Sequence, residues 1–325
     1  MTEENPVGDG PSGATVRRAH RRSLRLPPAR PVRSRRRLLA LVTSGGLLLS
    51  ASVLFQTRAA SAQDEEEVER TRLEKLAKEF SDPLTTLPQL FVQDAYTPAN
   101  YGTDAPLNRV IARLIFPRIP QFTLLPLVQL VRPSVSLVTV PTGSGSQTRT
   151  EFGDMQLFDA FVLPWRPVER LMIGVGPTFV FPTATDKAAG QGAWQVGPLF
   201  AAIYKGIPWL LAGCLIQNPI SFAYTSPDRQ SVSTFLFQPL VLVALPDGWY
   251  VKSADSTWVL NWRHGTSTLL PLSFGIGRVL VRGGLPPLNF YVSGEWMAYR
   301  QFAPVAPQTT VRFGMTVAFP ALRAW

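Results

Sequence analysis

At 325 residues the chain is long enough for one large domain or two ordinary ones, and its single cysteine, Cys214, excludes a disulfide framework. The formal charge of +10 is concentrated in residues 1–62, where eleven Arg oppose Glu3, Glu4 and Asp9. The rest of the chain holds 21 basic and 19 acidic residues, too even a balance for a nucleic-acid-binding surface.

The first predicted element is a leader. Arg35-Arg36-Arg37 precede an uncharged run, Leu38–Phe55, and the small-x-small pattern Ala60-Ser61-Ala62 follows. This is the order of a secretory signal peptide, so the chain is expected to be exported and cleaved near residue 62. An inner-membrane anchor helix is the competing reading, because the apolar run reaches the lower margin for spanning a bilayer. The glycines and serines within the run and the Ala-Ser-Ala end favour the signal peptide.

Asp64–Phe80 is charged and helical in pattern, with Val68, Leu73, Leu76 and Phe80 roughly on one face. It should stop at Ser81-Asp82-Pro83, since a residue before proline disfavours helix. The simplest expectation is a solvated tail, with residues 63–88 forming a periplasmic helix and linker.

From Gln89 onward helical periodicity disappears and alternation replaces it; the 30 prolines and 24 glycines make long helices untenable. Twelve strands are predicted, over 89–97, 107–116, 122–140, 152–163, 171–181, 193–204, 208–223, 232–244, 249–262, 269–281, 288–300 and 309–319. Connections of three to seven residues alternate with longer polar ones, as in an up-and-down barrel with both termini at one end. Phe179 and Phe181 share one face while Thr178 and Val180 share the other. Phe290, Val292 and Trp296 oppose Asn289, Tyr291 and Glu295; Phe313, Met315 and Val317 oppose Arg312, Gly314 and Thr316. A soluble sandwich would place Lys and Glu on its second face, yet after position 78 only Lys187, Lys205 and Lys252 remain. Bulky side chains pointing at lipid, with small polar ones enclosing a lumen, satisfy the pattern, and closure removes edges that hydrocarbon cannot hydrate. The fold class is therefore all-β: an antiparallel transmembrane β-barrel of about twelve strands over 89–325.

Trp165, Trp194, Trp209, Trp249 and Trp262 fall near predicted strand ends, as interfacial girdles do, and the terminal Trp325 resembles a barrel-assembly signal. Charges inside strands should face the lumen, because Arg on the lipid face costs roughly 2–4 kcal/mol at the midplane. The expected lumen-facing residues are Glu295 and Arg312, paired across neighbouring strands, with Arg109, Arg113 and Asp154. Arg278 sits on the apolar parity and must snorkel to the rim. Chemistry is otherwise sparse. His264 is the single histidine beyond the leader, and no nucleophile motif supports a triad with Ser267 and Asp255. No metal-ligand spacing occurs, so neither enzyme activity nor a cofactor is expected.

Several segments in order resemble the bacterial outer-membrane family known as neuromedin-U-like, or as meta-pathway of phenol degradation transporters. They are LEKLAKEFSDPLTTLPQLFVQD (73–94), FGDMQLFDAFVLP (152–164), VGPTFVFPTATD (175–186), GAWQVGP (192–198), FQPLV (237–241), GWY (248–250) and VRFGMTVAFP (311–320). The resemblance spans about residues 70–320 and implies an outer-membrane barrel with a transport role. It supplies no binding residues. The function so implied is a channel for small, hydrophobic or aromatic molecules; the alternative is a non-conducting structural or interaction barrel with a filled lumen. Expected partners are outer-membrane lipids, the barrel-assembly machinery through the C-terminal strand, and a small-molecule solute.

Overall fold

The structure, a computed structural model, describes residues 63–324 except 104, 118–126, 142–147, 254, 264–266 and 304. The leader and Trp325 therefore lie outside the described residues. A helix, α1 (63–81), is followed by β1 (Gln89–Tyr101), β2 (Leu107–Pro117), β3 (Val128–Pro141), β4 (Thr148–Phe152) and β5 (Met155–Val162). Then come β6 (Leu171–Phe181), β7 (Ala193–Tyr204), β8 (Leu210–Gln217), β9 (Ile220–Tyr224) and β10 (Thr234–Ala244). The last are β11 (Trp249–Lys252), β12 (Trp258–Asn261), β13 (Thr268–Leu280), β14 (Leu288–Gln301) and β15 (Ala306–Ala318).

Three pairs of these segments, β4 with β5, β8 with β9 and β11 with β12, are halves of one stave each, so the described segments form twelve staves. Every neighbouring pair is antiparallel, and β1 closes on β15 from Gln89↔Ala318 to Tyr101↔Ala306. Closure leaves no row of unpaired amides to face hydrocarbon. The twelve predicted strands correspond to these twelve staves, with three differences. The strand predicted from 122 begins at Val128 in the described residues, the one predicted over 152–163 begins already at Thr148 and breaks after Phe152, and those predicted over 208–223 and 249–262 are interrupted.

The alternation resolves as the lipid argument requires. Phe274 and Phe313 are 57% and 59% exposed on the outer face, whereas Asn289 and Thr316 inside are 2% and 1% exposed. Phe179 lies outward and Thr178 is buried inward. Two outward carboxylates interrupt the apolar band. Asp159 accepts both bonds of the Gln129 amide, at 2.9 and 3.1 Å. Asp94 lies between Val110 and Phe313, and nothing in the described structure bonds its Oδ1. Arg278, the predicted exception, folds over Trp249 (5.1 Å) and donates to the Asp247 carbonyl (3.3 Å) at the rim.

The helix is not a solvated tail. Its first turns are exposed, but Leu73, Leu76, Ala77 and Phe80, spaced i, i+3, i+4, i+7, face the lumen at the end where β1 begins and β15 finishes. Val68, grouped with this stripe in the sequence, stays 69% exposed. The connecting stretch Asp82–Pro88 is nearly all buried. Leu84 reaches Gly174, where an added Cβ would come within 2.5 Å of Leu84 Cδ2. This plug packs on one apolar wall of the lumen, including Phe158, Leu199, Leu211, Leu215 and Leu242.

Candidate functional site in the barrel lumen

Polar bonds hold the plug. Asp82 accepts the Leu84 N–H (2.7 Å), which turns the chain, and pairs with Lys205 in the turn after β7. The same ammonium lies 3.6 Å from Glu79, and Thr85 donates its hydroxyl to Glu79. Burial works to discharge Lys205, but Asp82 and then Glu79 outweigh it and hold its pKa above the ordinary value. Lys78 donates to the Pro208 carbonyl (2.6 Å) and Gln89 to the Glu79 carbonyl (3.1 Å), so the helix end is tied to two sides of the rim.

Opposite the apolar wall the lumen is charged. Its centre is Asp255, in the turn that separates β11 from β12. Pro239 in β10 and Pro271 in β13 explain this break, because proline offers no N–H to a neighbouring strand. Their carbonyls are taken by side chains instead: Ser253 donates to Pro239 (3.1 Å), while Ser256 (2.7 Å) and Trp258 (3.1 Å) donate to Pro271. The chain turns inward with Asp255 at φ 38°, a left-handed value uncommon for aspartate. Its carboxylate accepts from the Tyr291 hydroxyl (2.7 Å) and more weakly from Gln93 and Gln238 (both 3.4 Å), with the Lys252 ammonium 3.5 Å away.

Tyr291 stacks beneath Lys252 Nζ (3.5 Å) and accepts from Gln93 (2.7 Å), which adds to its bond to Asp255. Glycine makes room for it. Tyr291 is in register with Gly277 on one side and Gly314 on the other, and a Cβ at Gly314 would collide with the ring. Tyr250 is likewise in register with Gly277 and donates to Asn289 (2.8 Å).

The residues expected on the lumen are placed as follows. Glu295 and Arg312 bond at 2.7 Å between β14 and β15, one step diagonal in register. Arg109 and Arg312 are both in register with Ala95, so they flank that small residue on one level of the wall. Arg113 lies two inward-facing positions lower, opposite Phe91, its guanidinium 5.0 Å from that ring. Asp154 occupies the break between β4 and β5 at the far end. It accepts the Gln191 (2.6 Å) and Ala184 (3.2 Å) N–H groups, so it organises a loop and does not join the charged belt. That loop is tied on by Lys187–Asp228 (2.6 Å), by Arg149 to Asp186, and by Arg229 to the Gly190 carbonyl (3.0 Å). Lys187 and Ser226 hold the Asp228 carboxyl down to about 2.

Arg132, Lys252, Asp255 and Tyr291 were not singled out for the lumen in the sequence. Arg132 is in β3 with its guanidinium 4.5 Å from the Phe158 ring. Its position in a predicted strand was the available signal. For Asp255 the signal was the polar run Lys252-Ser253-Ala254-Asp255-Ser256-Thr257, flanked in space by two prolines whose pairing is not visible before the register is known. Asp255 is committed to Tyr291 and Lys252 and not to a triad with Ser267, and His264 lies outside the described residues. Between the belt and the plug is a cavity of ≈ 60 Å³, lined among others by Phe80, Asp82, Phe91, Arg113, Arg132 and Asp255.

No protein-family model matches the chain, and no curated protein does. Among solved structures it is similar to the KdgM porin, at 7% identity over 71% of this chain and 99% of that one, with a TM-score of 0.40. It is also similar to the COG4313 outer membrane channel from Pseudomonas putida F1, at 12% identity over 74% and 98% of the two chains, with a TM-score of 0.44. The beta domain of the Bordetella autotransporter BrkA matches at 11% identity over 72% and 100%, with a TM-score of 0.38.

Proposed function

We propose that this protein is an outer-membrane channel for small molecules, narrowed at its periplasmic mouth by its own N-terminal segment. The observation that carries this reading is the interior. An apolar-coated closed barrel encloses charged side chains that line a cavity, and not a uniformly dry core. A filled structural barrel gains nothing from Arg109, Arg113 and Arg132, which form no ion pair among the described residues. Export through a cleaved leader, insertion by the barrel-assembly machinery and lateral contact with outer-membrane lipids complete the proposal. The resemblance to the phenol-degradation transporters supports aromatic or hydrophobic solutes, and no catalytic step is part of it.

Single-channel recording in planar bilayers tests the reading. The refolded protein is expected to conduct weakly and a chain lacking residues 63–88 to conduct several times more. If both are silent while the protein shows heat-modifiable gel migration, the lumen is a closed filling and the structural reading replaces this one.

A further inference from the structure

We propose that the lumen holds a carboxylate-binding site between Arg113 and Arg132, and that the channel selects small organic anions with an apolar body. This rests on the channel reading and goes beyond it by naming the solute class.

The two guanidiniums are diagonal neighbours on the inner faces of β2 and β3, with Ser134 opposite Arg113 and Phe158 opposite Arg132. Each is spread on an aromatic ring, at 5.0 Å for Arg113 on Phe91 and 4.5 Å for Arg132 on Phe158. A contact of this kind leaves guanidinium N–H groups available to a further acceptor. Both side chains border the ≈ 60 Å³ cavity. Two carboxylates also border it, and both are engaged elsewhere. Asp255 is held by Tyr291 and Lys252, and Asp82 by Lys205 and the Leu84 N–H. Among the described residues neither Arg113 nor Arg132 forms a salt bridge; Asp255 acts on both, and Asp82 on Arg132, only through space.

Two guanidinium forks with no carboxylate in hydrogen-bond contact, beside one cavity of mixed polar and apolar lining, favour a planar oxyanion, which a guanidinium grips through two parallel hydrogen bonds. The space suits a carboxylate head, while Phe91 and the apolar wall beyond suit a hydrocarbon or aromatic body. Arg109 and Arg312, level with Ala95, stand above this site toward the far end, so an entering anion meets cations in descending order.

Two measurements test the site, one of which does not require conduction. Benzoate is titrated into the detergent-refolded full chain by calorimetry, and reversal potentials are read across a potassium chloride gradient. The wild type is expected to bind benzoate and to prefer chloride over potassium. Arg113→Gln with Arg132→Gln should remove the preference and weaken benzoate at least about tenfold, since the charge-assisted hydrogen bonds to the carboxylate are lost. Arg132→Lys keeps the charge but not the fork, so it should retain chloride preference and still lose benzoate affinity. Arg278→Gln, on the outer rim, should change neither. Benzoate binding without current, abolished by the double substitution, leaves the site standing and removes the channel reading. A potassium preference, or benzoate affinity unchanged by the double substitution in a folded barrel, overturns the site.

Discussion

Gly314 and Tyr291 form a single packing unit, because the ring occupies the volume a side chain at 314 would need. Substituting Gly314→Ala forces the ring off its rotamer or the strands apart, an overpacking cost of about 1–3 kcal/mol. The variant should convert from its folded to its unfolded gel position at a lower temperature than the wild type. Adding Tyr291→Ala to that chain should recover part of the difference, and two independent, additive losses would refute the coupling. Glycines on the small-residue parity were legible in the sequence as lumen-facing. That Tyr291 on the neighbouring strand covers Gly314, and Tyr250 covers Gly277, was not, because it depends on a register that period-two alternation leaves free. Asp255 was hidden for the same reason: only the pairing of β10 and β13 with the β11–β12 stave between them brings Pro239 and Pro271 to either side of its turn.

At the scale of elements, the predicted α1 and the staves came from periodicity, and they came with nearly their observed limits. Docking of α1 did not. Leu73, Leu76, Ala77 and Phe80 read equally well as a short amphipathic stripe in water, since a stripe names a buried face and not its partner. The anchor that decides the matter is Lys205, more than a hundred positions away from Asp82 in the chain. Its raised pKa means the ammonium contributes fully below its unfolded value of about 10.4 and is lost only as pH rises beyond that. The plug should therefore stay seated across the neutral range and loosen in strong alkali. Lys205→Met leaves Asp82 buried alone, and breaking such a pair costs about 3–5 kcal/mol. The expected result is a conductance at pH 7 close to that of the chain without residues 63–88. A conductance equal to the wild type would show that the apolar face alone holds the helix.

For the molecule as a whole, the two walls of the lumen divide the labour. The stretch from β5 to β10 gives the plug most of its apolar seat, while the stretch from β11 through β15 to β3 holds the charged belt. The two differ in what binds them together. The staves β1, β14 and β15 are joined by ladders on both sides, whereas α1 packs on the barrel through its buried face. Hydrogen exchange should show this hierarchy, with amides of 73–81 exchanging at least tenfold faster than those of β1, β14 and β15. Equal protection would mean that helix and barrel open as one unit.

The plug leads straight into the first stave, with Pro88 and Gln89 adjacent in the chain and the Pro88 carbonyl bonded by Phe319 just past the last stave. The helix is thus suspended from the seam where the first and last staves meet, at the end from which both enter the ring. It can swing into the finished cylinder without any segment being threaded through a hole. Closure of the wall does not depend on the stopper, so a loosened stopper leaves a closed, emptied cylinder behind.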